Sequence, residues 1–128
     1  MNFLRFQRNP KAVPETILPA GTVLYHGSTT PIEGRLRGPM WLARHKSKAD
    51  KYGDYIHVFD TSRDLRLYVL ENYTAFAASF PEISSHDDLG RQIYIVEQHD
   101  YAGWQVFEGE TVEEILLFRP QKVLRRIR

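Results

Sequence analysis

Short runs of apolar residues, separated by polar segments that contain glycine and proline, dominate the hydrophobic pattern of the chain. Such runs are rich in β-branched, aromatic and aliphatic residues and predict β-strands. The predicted strands are 22–26, 40–43, 55–60, 65–70, 104–109, 111–118 and 122–127. Residues 1–20 hold three of the seven prolines and predict an extended lead-in, and 31–39, with two glycines and two prolines, predicts a loop.

Three segments lack the strand pattern and predict short helices. The first, 44–53, ends at a glycine, which is preferred just beyond a helix C-terminus. The second, 71–80, stops before Pro81, and the third, 87–100, has two aspartates in its expected first turn, where the helix dipole favours negative charge. Strands mixed with short helices, without regular strand–helix–strand alternation, predict an α+β protein with a mostly antiparallel sheet. At 128 residues we expect a single domain, 1–128.

Composition narrows the function classes. A hydrophobic content of 42% supplies a core, and a net charge of +1 provides no general attraction to nucleic acid or membranes. The absence of cysteine excludes disulfides, thiol catalysis and thiolate metal sites. We find no signal-peptide pattern and no apolar stretch of the roughly 18 residues that a membrane helix needs. A soluble, cytoplasmic protein without a membrane partner is therefore expected.

Several common catalytic signatures are missing from the sequence. The five histidines form no closely spaced ligand pair, so no metal is expected. Phosphate-binding glycine loops and the Gly-x-Ser-x-Gly elbow of serine hydrolases are also absent. The basic C-terminal stretch, 122–128, is interpreted as a solvated strand.

A more specific pattern begins where the first predicted strand ends. The strand closes with His26, and Gly27 and Ser28 follow at once. The next strand contains Trp41, and the helix after it ends with Tyr52, eleven positions later. A late strand then has two adjacent glutamates ahead of an apolar run.

These motifs, in this order, resemble those of the ADP-ribosyltransferases, in the branch of poly(ADP-ribose) polymerases and diphtheria-type toxins. That family has a strand ending in His-Gly-(Ser/Thr), a strand of the form Gly-(Ile/Met)-Tyr-(Phe/Leu)-Ala followed by a helix with a second tyrosine, and a last strand with the catalytic glutamate. The resemblance extends from about Val23 to Phe118. One position departs from the pattern, because Trp41 replaces the first tyrosine. The indole keeps a stacking ring but offers an N–H instead of a phenol hydroxyl.

The resemblance implies two small packed sheets around a cleft that binds NAD as a substrate, without a metal. Trp41 and Tyr52 would sandwich the cationic nicotinamide ring. Gly27 would present bare backbone to the nicotinamide carboxamide, and the Ser28 hydroxyl would add a further hydrogen bond. His26, implied as a catalytic and binding residue, would hydrogen-bond a ribose hydroxyl.

The resemblance also implies a catalytic carboxylate. It would stabilise the oxocarbenium-like charge that develops on the ribose as the nicotinamide bond breaks. The family pattern of a glutamate before a large apolar residue selects Glu114, whereas strand alternation leaves Glu113 open because both faces are apolar. Glu110 is the next alternative. Val112 stands two positions before Glu114, where arginine-directed members have Glu or Gln, and this argues against arginine as the acceptor.

The remaining contacts are less sharply defined by the pattern. Arg35 and Arg37, in the loop after the first motif, are candidates for the pyrophosphate. Residues 61–90, the least family-like stretch, are expected to contact a protein or nucleic-acid acceptor. The predicted function is an NAD-dependent ADP-ribosyltransferase. The alternatives are an NAD glycohydrolase on the same fold, a non-catalytic module that binds a nucleotide or a protein, and a relative of the RNA 2′-phosphotransferases.

Overall fold

The secondary structure is known from a computed structural model that describes residues 13–108 and 111–127, with the backbone alone for 108, 112 and 113. The described strands are β1 (Glu15–Leu18), β2 (Val23–Ser28), β3 (Met40–Leu42), β4 (Tyr55–Thr61), β5 (Leu65–Leu70), β6 (Gly103–Glu108), β7 (Thr111–Leu117) and β8 (Leu124–Arg126). The described helices are α1 (Lys46–Ala49), α2 (Tyr73–Ser79), α3 (Leu89–Gln98) and α4 (Pro120–Val123), with a 3-10 helix at Asp50–Tyr52.

The strands form two sheets. The larger has the order β1-β5-β6-β7-β3 and the smaller the order β2-β4-β8. Neighbouring strands are antiparallel except for β5 and β6. These two run parallel, which the long connection through α2 and α3 permits. The protein is therefore α+β, with two small, mostly antiparallel sheets and short helices, as predicted.

The larger sheet is covered on both faces. A cluster between the two sheets includes Leu24, Phe59, Leu67, Ile115 and Leu117, and a cluster beneath α2 and α3 includes Tyr68, Phe76, Phe80, Val96 and Leu116. Consecutive residues of β7 enter different clusters because successive side chains of a strand point to opposite faces. The middle of β7 is therefore held from both sides.

The two sheets are joined by an isolated bridge between β2 and the end of β3. The Tyr25 N–H donates to the Ala43 carbonyl oxygen at 2.9 Å, and the Ala43 N–H donates to the Tyr25 oxygen at 2.8 Å. The ladder does not continue to the next residues of β2 and β3. The end of β2 therefore has one edge that is open toward β3.

The predicted strands and helices are confirmed, with corrections at their limits. The lead-in prediction missed β1, a four-residue strand between Pro14 and Pro19 that pairs with β5; residues 1–12 lie outside the described part. Helix α3 begins after the aspartates, since Asp88 is its N-cap and accepts from the Arg91 N–H. The last predicted strand is shorter, because α4 occupies its first residues.

Candidate functional site

A cleft of about 210 Å³ lies beside the bridge between the sheets. The end of β2, strand β3, the segment of α1 and the 3-10 helix, and the middle of β7 all contribute to it. Its lining residues are Tyr25, His26, Gly27, Trp41, Leu42, Ala43, Ala49, Tyr52 and Glu114. This volume is below the about 300–1,000 Å³ of pockets for drug-sized ligands, and it suits one substituted ring better than a whole dinucleotide.

Five of the residues singled out in the sequence meet in this cleft. They are His26, Gly27, Trp41, Tyr52 and Glu114. They come from four separate elements, so their meeting is a property of the fold and not of local sequence.

Gly27 is buried but lines the cleft, and its main-chain hydrogen-bonding groups lie at the open edge of β2. In an antiparallel strand, alternate residues direct both their N–H and their C=O to the same side. Tyr25 bonds outward to Ala43, and Gly27, two residues further on, therefore points the same way. Among the described residues, no backbone hydrogen bond of Gly27 outside the pairing of β2 with β4 is found. The edge thus offers one donor and one acceptor next to the cleft.

Beyond the bridge between Tyr25 and Ala43, a histidine side chain connects β2 to β3. His26 Nδ1 lies 2.7 Å from the Trp41 carbonyl oxygen. Because a carbonyl oxygen only accepts, Nδ1 carries the proton, and in the neutral ring Nε2 is then an acceptor. The imidazole therefore ties the His-Gly-Ser motif to the tryptophan strand.

Two glycines allow the helical segment to pack directly on β2. A Cβ on Gly27 would lie 2.0 Å from the carbonyl oxygen of Ala49, a distance that real Cβ atoms do not show. Gly53, directly after Tyr52, has φ +147°, and a Cβ there would lie 2.1 Å from the Ser28 oxygen. The position of Tyr52 in the cleft therefore depends on glycine on both sides of the contact.

Trp41 lies on the cleft side of β3 and not in a core cluster. It pairs with Leu116 of β7, so the two side chains share a face, and Glu114, two residues before Leu116, lies on that face too. The Trp41 side chain is 39% exposed, whereas the other tryptophan, Trp104, is 3% exposed. Trp41 is therefore not part of either core cluster.

Glu114 is half-buried and accepts a hydrogen bond from the Tyr52 hydroxyl at 2.5 Å. Of the two alternatives, Glu110 lies outside the described residues, and Glu113 is described by its backbone alone. Among the side chains that the structure describes, that of Glu114 contributes a carboxylate to the cleft lining.

The structure does not bring three other predicted residues to the cleft lining. The Ser28 hydroxyl donates to the Thr30 carbonyl oxygen at 2.5 Å, a local turn contact. Arg35 borders a separate hollow with Arg126, and Arg37 is exposed in the same loop. The hydroxyl of Ser28 is thus engaged in its own loop.

His57 supports the His-Gly-Ser strand from beneath and was not singled out in the sequence. It pairs with His26 across β2 and β4, and its Nε2 accepts from the Ile32 N–H at 3.3 Å, with Ser28 Oγ also at 3.3 Å. Burial, followed by the charges of Arg126 and His26, lowers the pKa of His57. The strand-like alternation of residues 55–60 could have predicted that the side chain at position 57 points into the protein.

We expect the free energy of unfolding to decrease as the pH falls below about 6.5, the ordinary pKa of histidine. Since the pKa of His57 is lowered in the folded state, the unfolded chain binds the proton first, and acid favours unfolding. Urea titrations between pH 8 and pH 5 would measure this decrease. His57→Gln, which keeps an acceptor near Ile32, should flatten it, whereas His86→Gln at an exposed position should not.

The described residues 13–108 and 111–127 contain no group of three or more histidines and carboxylates arranged to hold a metal ion. Over the same residues, no helix is both long and apolar enough to cross a membrane.

Comparisons with known proteins point to the fold alone. No protein-family model and no curated protein matches the chain. A solved structure, the crystal structure of an anti-CRISPR protein, is similar with a TM-score of 0.50. The two chains are 17% identical, and the match covers 85% of this chain and 99% of the other. The α+β arrangement thus also occurs in an experimental structure of nearly matching extent.

Proposed function

We propose that the protein is an NAD-dependent ADP-ribosyltransferase. The observation that carries the proposal is the meeting of the open Gly27 backbone edge, two exposed aromatic side chains and the Glu114 carboxylate in one cleft. Each was selected from the sequence for a role in this reaction, and the four parts are separated by up to 87 positions. A purely structural cluster has no need of exposed aromatic rings beside a carboxylate.

The cleft matches the chemistry of the nicotinamide end of NAD. The carboxamide has an N–H donor and a C=O acceptor, which complement the C=O and N–H of Gly27. Trp41 and Tyr52 offer aromatic faces to the flat, cationic ring through stacking and cation–π attraction. His26, with its proton on Nδ1, offers Nε2 to a ribose hydroxyl.

In the proposed reaction, Glu114 stabilises the charge that develops in the transition state. As the bond between the ribose and the nicotinamide nitrogen breaks, its electron pair leaves with nicotinamide and positive charge develops on the ribose. A carboxylate that accepts from the ribose 2′-hydroxyl stabilises this charge. A nucleophilic atom of the acceptor then bonds to the ribose carbon and releases a proton to solvent. If water is the nucleophile, the same cleft acts as an NAD glycohydrolase.

The reaction is tested with NAD labelled in its adenylate phosphate, incubated with the protein and a cell lysate. We expect free nicotinamide to appear together with macromolecule-bound label. Release of nicotinamide with label only in free ADP-ribose would assign the glycohydrolase. An absence of nicotinamide release at millimolar NAD, with folded protein, would overturn the proposal.

Trp41→Ala should weaken NAD binding by roughly 1–3 kcal/mol, the range for stacking of a base on an aromatic side chain. Calorimetry would measure the loss, because the substitution removes the tryptophan that lines the cleft and the remaining one, Trp104, is buried. The matched variant Trp41→Tyr restores the residue of the resembled family and should bind NAD within a few-fold of the original chain. Equal affinity for Trp41→Ala would contradict the stacking role.

A second candidate function is inhibition of a CRISPR system by binding, which the similarity to an anti-CRISPR protein favours. Phage plating on cells with an active CRISPR system would test it. Inhibition that persists in Glu114→Gln, together with no NAD cleavage, would assign a binding module. If Glu114→Gln no longer inhibits the CRISPR system, we would conclude that the inhibition depends on the enzymatic activity.

A further inference from the structure

The hydroxyl of Tyr52 and the carboxylate of Glu114 are bonded across the cleft. Their oxygen atoms are 2.5 Å apart, although the residues are 62 positions apart in the chain. The phenol donates and the carboxylate accepts, and the length falls in the about 2.5–2.7 Å range of O–H···O⁻ bonds. The contact therefore joins the 3-10 helix to the middle of β7.

We propose that Tyr52 is a positioning residue for Glu114: it holds one carboxylate oxygen so that the other faces the ribose of NAD. This inference rests on the proposed function. In the proposed function the ring of Tyr52 stacks on nicotinamide, and this stacking does not require the hydroxyl. The inference gives the hydroxyl a separate role.

Tyr52 is built to hold a fixed position. Its backbone is pressed against β2 at Gly27, where a Cβ would already lie 3.4 Å from the Tyr52 Cβ, and Gly53 ends the helical segment directly after it. A tyrosine ring turns about only two side-chain bonds, so a fixed backbone places the hydroxyl with little freedom. The tyrosine thus has fewer rotatable side-chain bonds than the glutamate it contacts.

Glu114 needs such a partner. Among the described residues, no hydrogen bond to its carboxylate other than that from Tyr52 is found. A half-buried glutamate without a fixed donor would sample several rotamers, and each rotamer other than the productive one lowers the fraction of complexes that can react. Because Tyr52 bonds to Oε1, the atom Oε2 is the one left for the ribose hydroxyl.

The hydroxyl is removed in Tyr52→Phe, and Tyr55→Phe is the matched control. Tyr55 is 46% exposed, close to the 50% of Tyr52, but does not line the cleft. We expect Tyr52→Phe to lower kcat by about ten- to a hundred-fold, the scale of one hydrogen bond to a charged group, with KM for NAD within about two-fold. Tyr55→Phe should leave both constants unchanged.

A double-mutant cycle separates positioning from an independent role. In the Glu114→Gln background, adding Tyr52→Phe should change kcat by less than about two-fold, since the hydroxyl acts through the carboxylate. An equal loss in both backgrounds, an unchanged kcat in Tyr52→Phe, or a rise in KM alone would overturn the inference. The melting temperatures of Tyr52→Phe and Glu114→Gln should lie within a few degrees of that of the original chain.

The failure of the inference can be told apart from the failure of the proposed function. An original chain that releases no nicotinamide overturns the function itself before any variant is compared. The carboxyl-carbon NMR signal of Glu114, assigned through Glu114→Gln, needs no NAD. We expect this signal to move in Tyr52→Phe and not in Tyr55→Phe. A signal unchanged in Tyr52→Phe would overturn the positioning contact whether or not NAD is cleaved.

Discussion

Glu114→Gln is expected to lower nicotinamide release at saturating NAD by about 10²–10³-fold, the scale of losing one electrostatic stabiliser in an active site. Glutamine keeps the size and the hydrogen-bonding reach of the side chain but removes its charge. The charge matters mainly in the transition state, when the ribose becomes positive, so NAD affinity should stay within a few-fold. Turnover and calorimetric binding of the same preparation would measure the two effects separately.

Glu113→Gln is the control one position away in the same strand, and a near-normal rate is expected for it. If Glu113→Gln were the inactive variant, the opposite face of β7 would line the cleft and the register would be shifted by one residue. Full activity in both variants would move the carboxylate elsewhere, and Glu110 would be tested next.

Gly27→Ala is expected both to destabilise the fold and to abolish detectable NAD binding. The new methyl group would lie 2.0 Å from the Ala49 carbonyl oxygen, which is backbone and cannot rotate away. The helical segment must move off β2, at about 1–3 kcal/mol for a forced fit, and Tyr52 moves with it. Urea unfolding measures the first effect, and calorimetry with NAD measures the second.

Gly90→Ala provides the matched comparison. In helix α3 the added Cβ would meet its nearest neighbour, Asp88 Oδ1, at 3.5 Å, an ordinary contact. Alanine also favours helix over glycine by roughly 0.5–1 kcal/mol, so this variant should be as stable as the original chain or more stable. Unchanged stability and NAD affinity in Gly27→Ala would contradict this prediction. That result would show that the helical segment can move away from β2 without affecting the fold or the cleft.

The sequence alone predicted the strands and the helix that position the candidate site. Local alternation and glycine placement predicted β2, β3 and the helix that ends at Gly53, and these bring His26, Trp41 and Tyr52 to one cleft. For the carboxylate, alternation left two faces open, and Glu114 was selected only by the resembled family's pattern of a glutamate before a large apolar residue.

Other features depend on partners far away in the chain. Strand β1 has four residues between prolines, and it is a strand because β5, about 50 positions later, pairs with it. The parallel pairing of β5 and β6 needs the long connection between them and has no signature in either strand. Ser28 could not be assigned from its residue type, because its hydroxyl can bond either to a ligand or to its own loop, and the structure shows the loop contact.

The bridge between Tyr25 and Ala43 bears on how this fold can change over time. Its four participating atoms, like the edge presented by Gly27, belong to the main chain, and almost any residue other than proline supplies the same N–H and C=O. Substitutions at positions 25 and 43 can therefore accumulate without breaking the junction, as long as their bulk is accommodated. The same two side chains line the cleft, so substitutions that keep the junction can still change the shape of the space beside it.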